Sequence, residues 1–177
     1  MAKVKVASTW LDCCSGCHMS FLDLDEALID LAEKIELTAT PFTDIKEFPP
    51  VDIGIIEGSV SNEHDEEVAK SLRANCKILM VWGDCACFGG INSMRNLFST
   101  EDVLQRYYST ESTTKDSHIP ASEEIPPLTK VRPVNQVVKV DCYVPGCPPS
   151  PKAILYSLSE LLEGRIPVLP SEIMRFD

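Results

Sequence analysis

Eight cysteines stand among 177 residues, and seven of them fall in three groups: Cys13, Cys14 and Cys17; Cys85 and Cys87; Cys142 and Cys147. Cys14-Ser15-Gly16-Cys17 is a C-x-x-C pair, a spacing that lets two sulfurs reach one centre and that zinc sites and redox dithiols share. In "GDCACFGG", Cys85 lies between glycines that let backbone crowd a bulky group. In "VPGCPPSP", prolines remove backbone donors around Cys147 and fix the direction of its loop. The pair and these two single cysteines supply four sulfurs, the number taken by a 4Fe–4S cluster or a structural zinc. Structural zinc usually shows two compact pairs, which this spacing lacks. Cys76, in "ANCKILMV", reads instead as a small buried hydrophobe at the start of a strand.

The rest of the composition narrows the compartment and the partners. The opening "MAKVKVASTW" has no apolar signal region and no twin arginine follows, so the chain is expected in the cytoplasm. Reducing conditions there keep thiols free, which argues against a disulfide framework. A net charge of −11 argues against a nucleic-acid-binding face, which needs clustered Lys and Arg. No apolar run approaches the roughly 20 residues of a membrane span. The length suits one domain over 1–177, long enough to bury about 70% of its unfolded surface.

Strands and helices alternate along the chain. "VKVAST" reads as a buried strand, "IELTAT" as a second, "VDIGIIEGSV" as a third ending near Glu57-Gly58, "KILMVW" as a fourth and "QVVKVDCYV" as the last. Phe21, Leu24, Leu28, Leu31 and Ile35 recur at helical spacing, and Asp23, Asp25 and Glu26 fit the first turns of such a helix. "SNEHDEEVAKSLRANC" reads as an acidic-first helix with Val68 and Leu72 inward, and "GINSMRNLF" and "TEDVLQRYY" as short ones. The last helix is marked by Ser150 as cap, Pro151 at its first position and Gly164 past its end. Apolar strands alternating with amphipathic helices predict an α/β domain: a flavodoxin-like, doubly wound parallel sheet with helices on both faces. An aperiodic, proline-rich excursion at about 109–135 is either a solvated loop or a segment lying along a partner protein.

The cysteine groups follow predicted strands. In an open parallel sheet the connections past the carboxyl ends converge on one edge, where ligands bind. Thiols distant in sequence can therefore meet there.

"WLDCCSGCHMSF", "IIEGSV", "GDCACFGGI" and "VPGCPPSP", in this order, resemble the small subunit of nickel–iron hydrogenases, most closely the short, soluble, NAD-reducing type. The resemblance covers nearly the whole chain. It implies one proximal 4Fe–4S cluster with Cys14, Cys17, Cys85 and Cys147 as ligands, facing the nickel–iron centre of a separate large subunit. It also implies diaphorase subunits that carry FMN, further iron–sulfur clusters and the NAD site. Larger members add a cluster-bearing C-terminal domain. This chain ends at Asp177 without one, so electrons are expected to pass directly to another subunit. The cluster-bearing small subunit of respiratory complex I is a cousin whose first motif is an adjacent Cys-Cys pair. Cys13-Cys14 resembles that pair, whereas "SGCHMSF" fits the hydrogenase. Cys13 is thus expected to be a neighbour and not a ligand.

Glu57, ending a strand at the same edge, is expected either to bond cluster-loop amides or move protons, or else to cap the next turn. His18 reads as interface packing, and His64 and His118 as solvated. Met19, Phe21, Trp82 and Phe88 serve equally as shields of a cluster or as plain core. Flavin in this chain is not expected, because cysteines occupy the place of a phosphate-binding first loop. Three functions of different class follow: the electron-transfer subunit of an NAD-linked hydrogenase, a subunit of a complex I-type NADH:quinone oxidoreductase, and a structural zinc module. Iron and acid-labile sulfide separate the third from the others; a nickel-containing partner against a membrane arm separates the first two.

Overall fold

In the computed structural model, which describes residues 2–45, 47–110, 112–122 and 124–174, the chain opens with β1 (Val4–Trp10), α1 (Gly16–Leu22), α2 (Ala27–Lys34) and β2 (Ile35–Leu37). It continues with β3 (Val51–Glu57), β4 (Val60–Asn62), α3 (Glu63–Asn75), β5 (Cys76–Trp82) and α4 (Gly83–Phe88). A 3-10 segment (Ile91–Leu97), α5 (Thr100–Gln105) and a π-helical turn (Arg106–Thr110) lead to β6 (Leu128–Arg132). A 3-10 turn (Val134–Gln136), β7 (Cys142–Val144) and α6 (Pro151–Leu162) complete the described chain.

Among the described residues, five strands form one sheet in the order β2-β1-β3-β5-β7, and every pair in it is parallel. Renumbered along the chain, that order is 2-1-3-4-5, the flavodoxin-like arrangement. Alternation along the strands explains the double cover. Met80 and Trp82 pack with Phe21, Leu31, Ile154 and Leu158 under α1, α2 and α6. Leu79 and Val81 point the other way and pack with Ala69 and Leu72 of α3 and with Ala86 of α4. The α/β sheet with helices on both faces is as the apolar runs require.

Several boundaries differ from the sequence reading, each for a local reason. The single helix expected through Phe21–Ile35 is two helices, broken where Asp25 takes a φ of +50°. Aspartate tolerates that left-handed geometry better than most residues. Asp23 ends α1 and Glu26 immediately precedes α2, so these acids sit at the break rather than in a first turn. The apolar spacing survives because Leu24, at the corner, still reaches the core. "IELTAT" yields only β2, although Thr38 and Ala39 go on exchanging backbone hydrogen bonds with β1. "QVVKVDCYV" yields only β7 after a 3-10 turn. The third strand stops at Glu57, and β4 pairs antiparallel with β6, a strand inside the stretch read as aperiodic. Asn62 caps α3 by accepting from the Asp65 amide, and Ser150 caps α6 through the Ala153 amide. No helix among the described residues is long and apolar enough to cross a membrane.

Candidate metal centre

β1, β3, β5 and β7 all end at the same edge, and their exits are stitched to one another. The Leu11 amide donates to the Glu57 carbonyl at 2.8 Å, and the backbones of Asp12 and Ser59 exchange two hydrogen bonds. Asp84 accepts from the Gly146 amide at 2.8 Å and donates its own amide to the Gly146 carbonyl at 3.0 Å. Ser20 of α1 donates to the Pro149 carbonyl at 2.6 Å. The segments carrying Cys14–Cys17, Cys85 and Cys147 are therefore held as one unit.

Glycines mark where backbone has closed on the thiols. A Cβ on Gly83 would lie 2.4 Å from the Cys17 Sγ, one on Gly90 2.8 Å from the Cys85 Sγ, and one on Gly16 3.2 Å from the Cys14 Sγ. Cys17 is buried, Cys85 half-buried, and Cys14 and Cys147 exposed, so the group opens outward. Burial raises the Cys85 pKa, and so do the fields of Cys147 and Cys14. Burial raises Cys17 too, with the Glu57 carboxylate and then Cys85, Cys14 and Cys13 adding to it. A redox dithiol needs a depressed thiol pKa; this group would be deprotonated by a bound cation, which supplies the missing positive charge. Among the described residues no three His, Cys, Asp or Glu side chains converge as one metal ion would require. The thiols lie near enough to act on one another electrostatically, Cys147 and Cys14 on Cys85, and Cys85 and Cys14 on Cys17.

The other cysteines separate from this group. Cys85 and Cys87 lie on the short helix α4 rather than in a loop, and helical geometry turns Cys87 into the second core layer. Cys142 lies within β7 and is buried in the first layer. Cys76 opens β5 and is buried, as its context predicted. Burial is the main reason that Cys87 and Cys142 are both pushed up to about 12. Cys13 accepts from the Ser15 amide at 3.4 Å and is pushed up to about 12, chiefly by burial.

Glu57 is the expected edge carboxylate, and its oxygens accept from the amides of Cys17 at 3.1 Å and His18 at 3.0 Å. It bonds the cysteine-loop amides rather than capping the turn after its own strand. Burial raises its pKa, but the hydrogen bond and field of His18 and the two amides outweigh that and hold the carboxyl below its ordinary range. His18 is not interface packing: it is 1% exposed and hydrogen-bonds Glu57 through Nδ1 and Ser8 through Nε2. His64 and His118 are exposed. Phe21 and Trp82 are core, whereas Met19 and Phe88 lie on the surface. Asp84, Ser20 and His18 were not singled out as positioning residues; for Asp84, the "GDC" context was the available signal.

The 3-10 segment beside Cys85 is inverted. Its polar side chains face the protein: Asn92 donates to the Asp12 carbonyl, Arg95 to the carbonyls of Ser61 and Thr129, and Asn96 to that of Val131. Ile91, Met94 and Leu97, three apart and so in one row on a 3-10 helix, face outward at 60–77% exposure.

Residues 14–161 match the family described as NADH ubiquinone oxidoreductase, 20 Kd subunit. The chain is 43% identical to the NAD-reducing hydrogenase HoxS subunit delta of Cupriavidus necator, over 99% of this chain and 86% of that one. It is 42% identical to one subunit of the F420-non-reducing hydrogenase vhu of Methanococcus voltae, over 97% of this chain but only 61% of the relative. A crystal structure of an NAD+-reducing NiFe-hydrogenase in its H2-reduced state contains a chain that superposes with a TM-score of 0.96 at 38% identity, over 99% of this chain and 100% of that one. The Ni-Fe-Se hydrogenase of Desulfomicrobium baculatum shares the fold alone, with a TM-score of 0.59 at 16% identity. The chain thus belongs to the family of the 20 Kd subunit of NADH ubiquinone oxidoreductase, as a relative of the small subunits of NiFe hydrogenases.

Proposed function

We propose that this chain is the cytoplasmic electron-transfer subunit of an NAD-linked nickel–iron hydrogenase, and that Cys14, Cys17, Cys85 and Cys147 hold one 4Fe–4S cluster. Such a cluster, when bound, takes up and gives away single electrons. One observation carries the reading: the three thiol-bearing connections are hydrogen-bonded to one another at one sheet edge, and glycines whose missing Cβ atoms leave room stand against Cys14, Cys17 and Cys85. The chain's own part is to hold and orient. Gly83 and Gly90 let backbone approach Cys17 and Cys85, Asp84 ties the Cys147 loop to α4, and Glu57 anchors the start of α1. Phe21 and Trp82 keep water from the inner side of Cys17.

The partners follow from the same edge. Cys14 and Cys147 are exposed, and the outward apolar row from Ile91 to Leu97 stands next to Cys85, as a protein-covered surface would. In this reading a large subunit with the nickel–iron centre lies on one side of the electron path. Diaphorase subunits with FMN, further clusters and the NAD site lie on the other. The NAD-linked assignment is supported by relatives matched over most of their own length, whereas the chain spans about three fifths of its methanogen relatives.

A complex I-type role is the second reading, favoured by the tandem Cys13-Cys14 and by the family's own description. Anaerobic purification through a tag on this chain decides between them. A nickel-containing partner with about four irons bound to this chain is expected, and recovery of a quinone-reducing membrane arm without nickel overturns the proposal.

A further inference from the structure

Glu57 uses three of the roughly four acceptor sites of its carboxylate, and all three are given to residues 17 and 18. Oε1 accepts from the Cys17 amide, and Oε2 accepts from the His18 amide while also meeting His18 Nδ1. The imidazole cannot turn away. Its Nε2 lies 3.1 Å from the Ser8 hydroxyl, and Trp10, Phe42 and Trp82 pack against it edge-on, with ring centroids 5.6–5.7 Å away. Ser8 and His18 thus lock the Glu57 carboxylate from behind while its front engages α1.

The two amides it holds belong to the first turn of a helix, where backbone N–H groups have no intrahelical acceptor. They flank Cys17, whose sulfur lies against Gly83. Without the carboxylate, these two amides would lose their acceptor in the same turn that carries the Cys17 sulfur, and a thiolate there could accept from them. Amide bonds to cluster sulfurs and nearby charge are among the levers that set a cluster's reduction potential. An N–H donated to sulfur stabilises the more negative, reduced form; a carboxylate beside the site disfavours it. Withholding two donors and adding a negative charge therefore act in one direction.

We propose that Glu57, clamped by His18, is a positioning residue that fixes Cys17 and commits the amides of residues 17 and 18 to itself, keeping the reduction potential of the thiolate-held group low. This rests on the cluster reading above. The couple concerned gains one electron on reduction, supplied in a titration by dithionite, with no bond made or broken.

The test uses the whole complex, purified anaerobically with this chain as parent, Glu57→Gln, His18→Leu or His18→Asn. Glu57→Gln keeps the side-chain volume but one acceptor oxygen. His18→Asn keeps a side-chain N–H where Nδ1 stood, and His18→Leu does not. Each preparation is assayed for iron and labile sulfide, and its midpoint potential is taken from a spectroscopic redox titration. With iron unchanged, Glu57→Gln and His18→Leu are expected to shift the reduced-to-oxidised ratio at fixed potential at least tenfold toward reduced, about 59 mV for one electron. His18→Asn should stay within threefold of the parent. A parental potential in fully loaded Glu57→Gln overturns the proposal. If Glu57→Gln does not assemble, the histidine pair decides: equal potentials in His18→Leu and His18→Asn overturn it, and the stated difference supports it. A parent complex without iron in this chain defeats the cluster reading instead, before any potential is compared.

Discussion

Gly83→Ala is the most direct probe of where the Cys17 thiol sits. The glycine has a φ of +81°, and an added Cβ would lie 2.4 Å from the Cys17 Sγ. Gly164 provides the control, because its φ is +76° but nothing lies within 4 Å of the same position. Gly164→Ala should therefore cost only the left-handed backbone penalty, about 1–2 kcal/mol. Gly83→Ala adds an overpacking penalty of about 1–3 kcal/mol, for a total of about 2–5 kcal/mol. Restoring an ordinary contact requires the buried sulfur to retreat by about 1 Å, away from the position it would hold as a ligand in the proposed set. Two measurements follow: the urea midpoint of the full chain, and iron per chain in the anaerobically purified complex. Gly83→Ala should lower the midpoint further than Gly164→Ala and lose iron, whereas Gly164→Ala should retain it. Full iron in Gly83→Ala, with a midpoint no lower than that of Gly164→Ala, would refute the placement of Cys17.

Serine at position 14, 17, 85 or 147 should remove or destabilise the cluster and stop electron flow from hydrogen to NAD, because iron here prefers soft sulfur. Serine at 13, 87 or 142 should leave iron in place at a cost of about 1–3 kcal/mol; iron lost from Cys13→Ser but kept in Cys17→Ser would hand the site to the complex I pattern. The metal-reconstituted chain alone should neither consume hydrogen nor reduce NAD, since it has no G-x-G-x-x-G fingerprint, and hydrogen-dependent dye reduction by it would count against the assignment. Asp141 is raised by burial but more strongly lowered by the Leu79 amide, Arg73 and Lys139, so its folded pKa lies below its unfolded value near 3.8. Its contribution is therefore complete above that pH and is lost as pH falls below it. Asp141→Asn should cost about 1.5–3 kcal/mol at pH 7 and flatten the acid limb of a stability–pH curve, and an unchanged limb would show that the carboxylate does not contribute.

The sheet was readable because its strands are buried on both faces and so form continuous apolar runs, as "VDIGIIE" and "KILMVW" do. Punctuation was harder. Asp25 breaks a helix whose apolar spacing passes unbroken through the corner, and periodicity does not register a φ of +50°. β6 lay in polar surroundings, since it pairs with β4 outside the main sheet. At the edge, Gly and Pro context marked Cys85 and Cys147, but nothing local to "CHMSF" tells that His18 turns inward. That orientation depends on Ser8 and Glu57, which come from two other strands. The inverted 3-10 segment was equally hidden, because an apolar row reads as core until its neighbours' carbonyls are seen to need Asn92, Arg95 and Asn96.

The edge thiols span the chain from Cys14, just past the first strand, to Cys147, just past the last. No nascent fragment ending before β7 contains the whole set, and the parallel β5–β7 pairing that delivers Cys147 forms late because it is non-local. A centre held by all four cysteines therefore fills only after β7 has been made, and the Cys14–Cys17 pair has to stay reduced until then. Once filled, a metal group held by these cysteines is a cross-link between chain segments, and its binding free energy becomes folding free energy. It secures the carboxyl edge of the sheet only. The opposite edge already has its own tie, Arg73, which donates to the carbonyls of Cys76 and Lys77 and to Asp141 ahead of β7. Loss of the metal should therefore loosen the sheet from one end, with amide exchange rising first around residues 14–17, 84–85 and 146–147 while β5 near Lys77 stays protected.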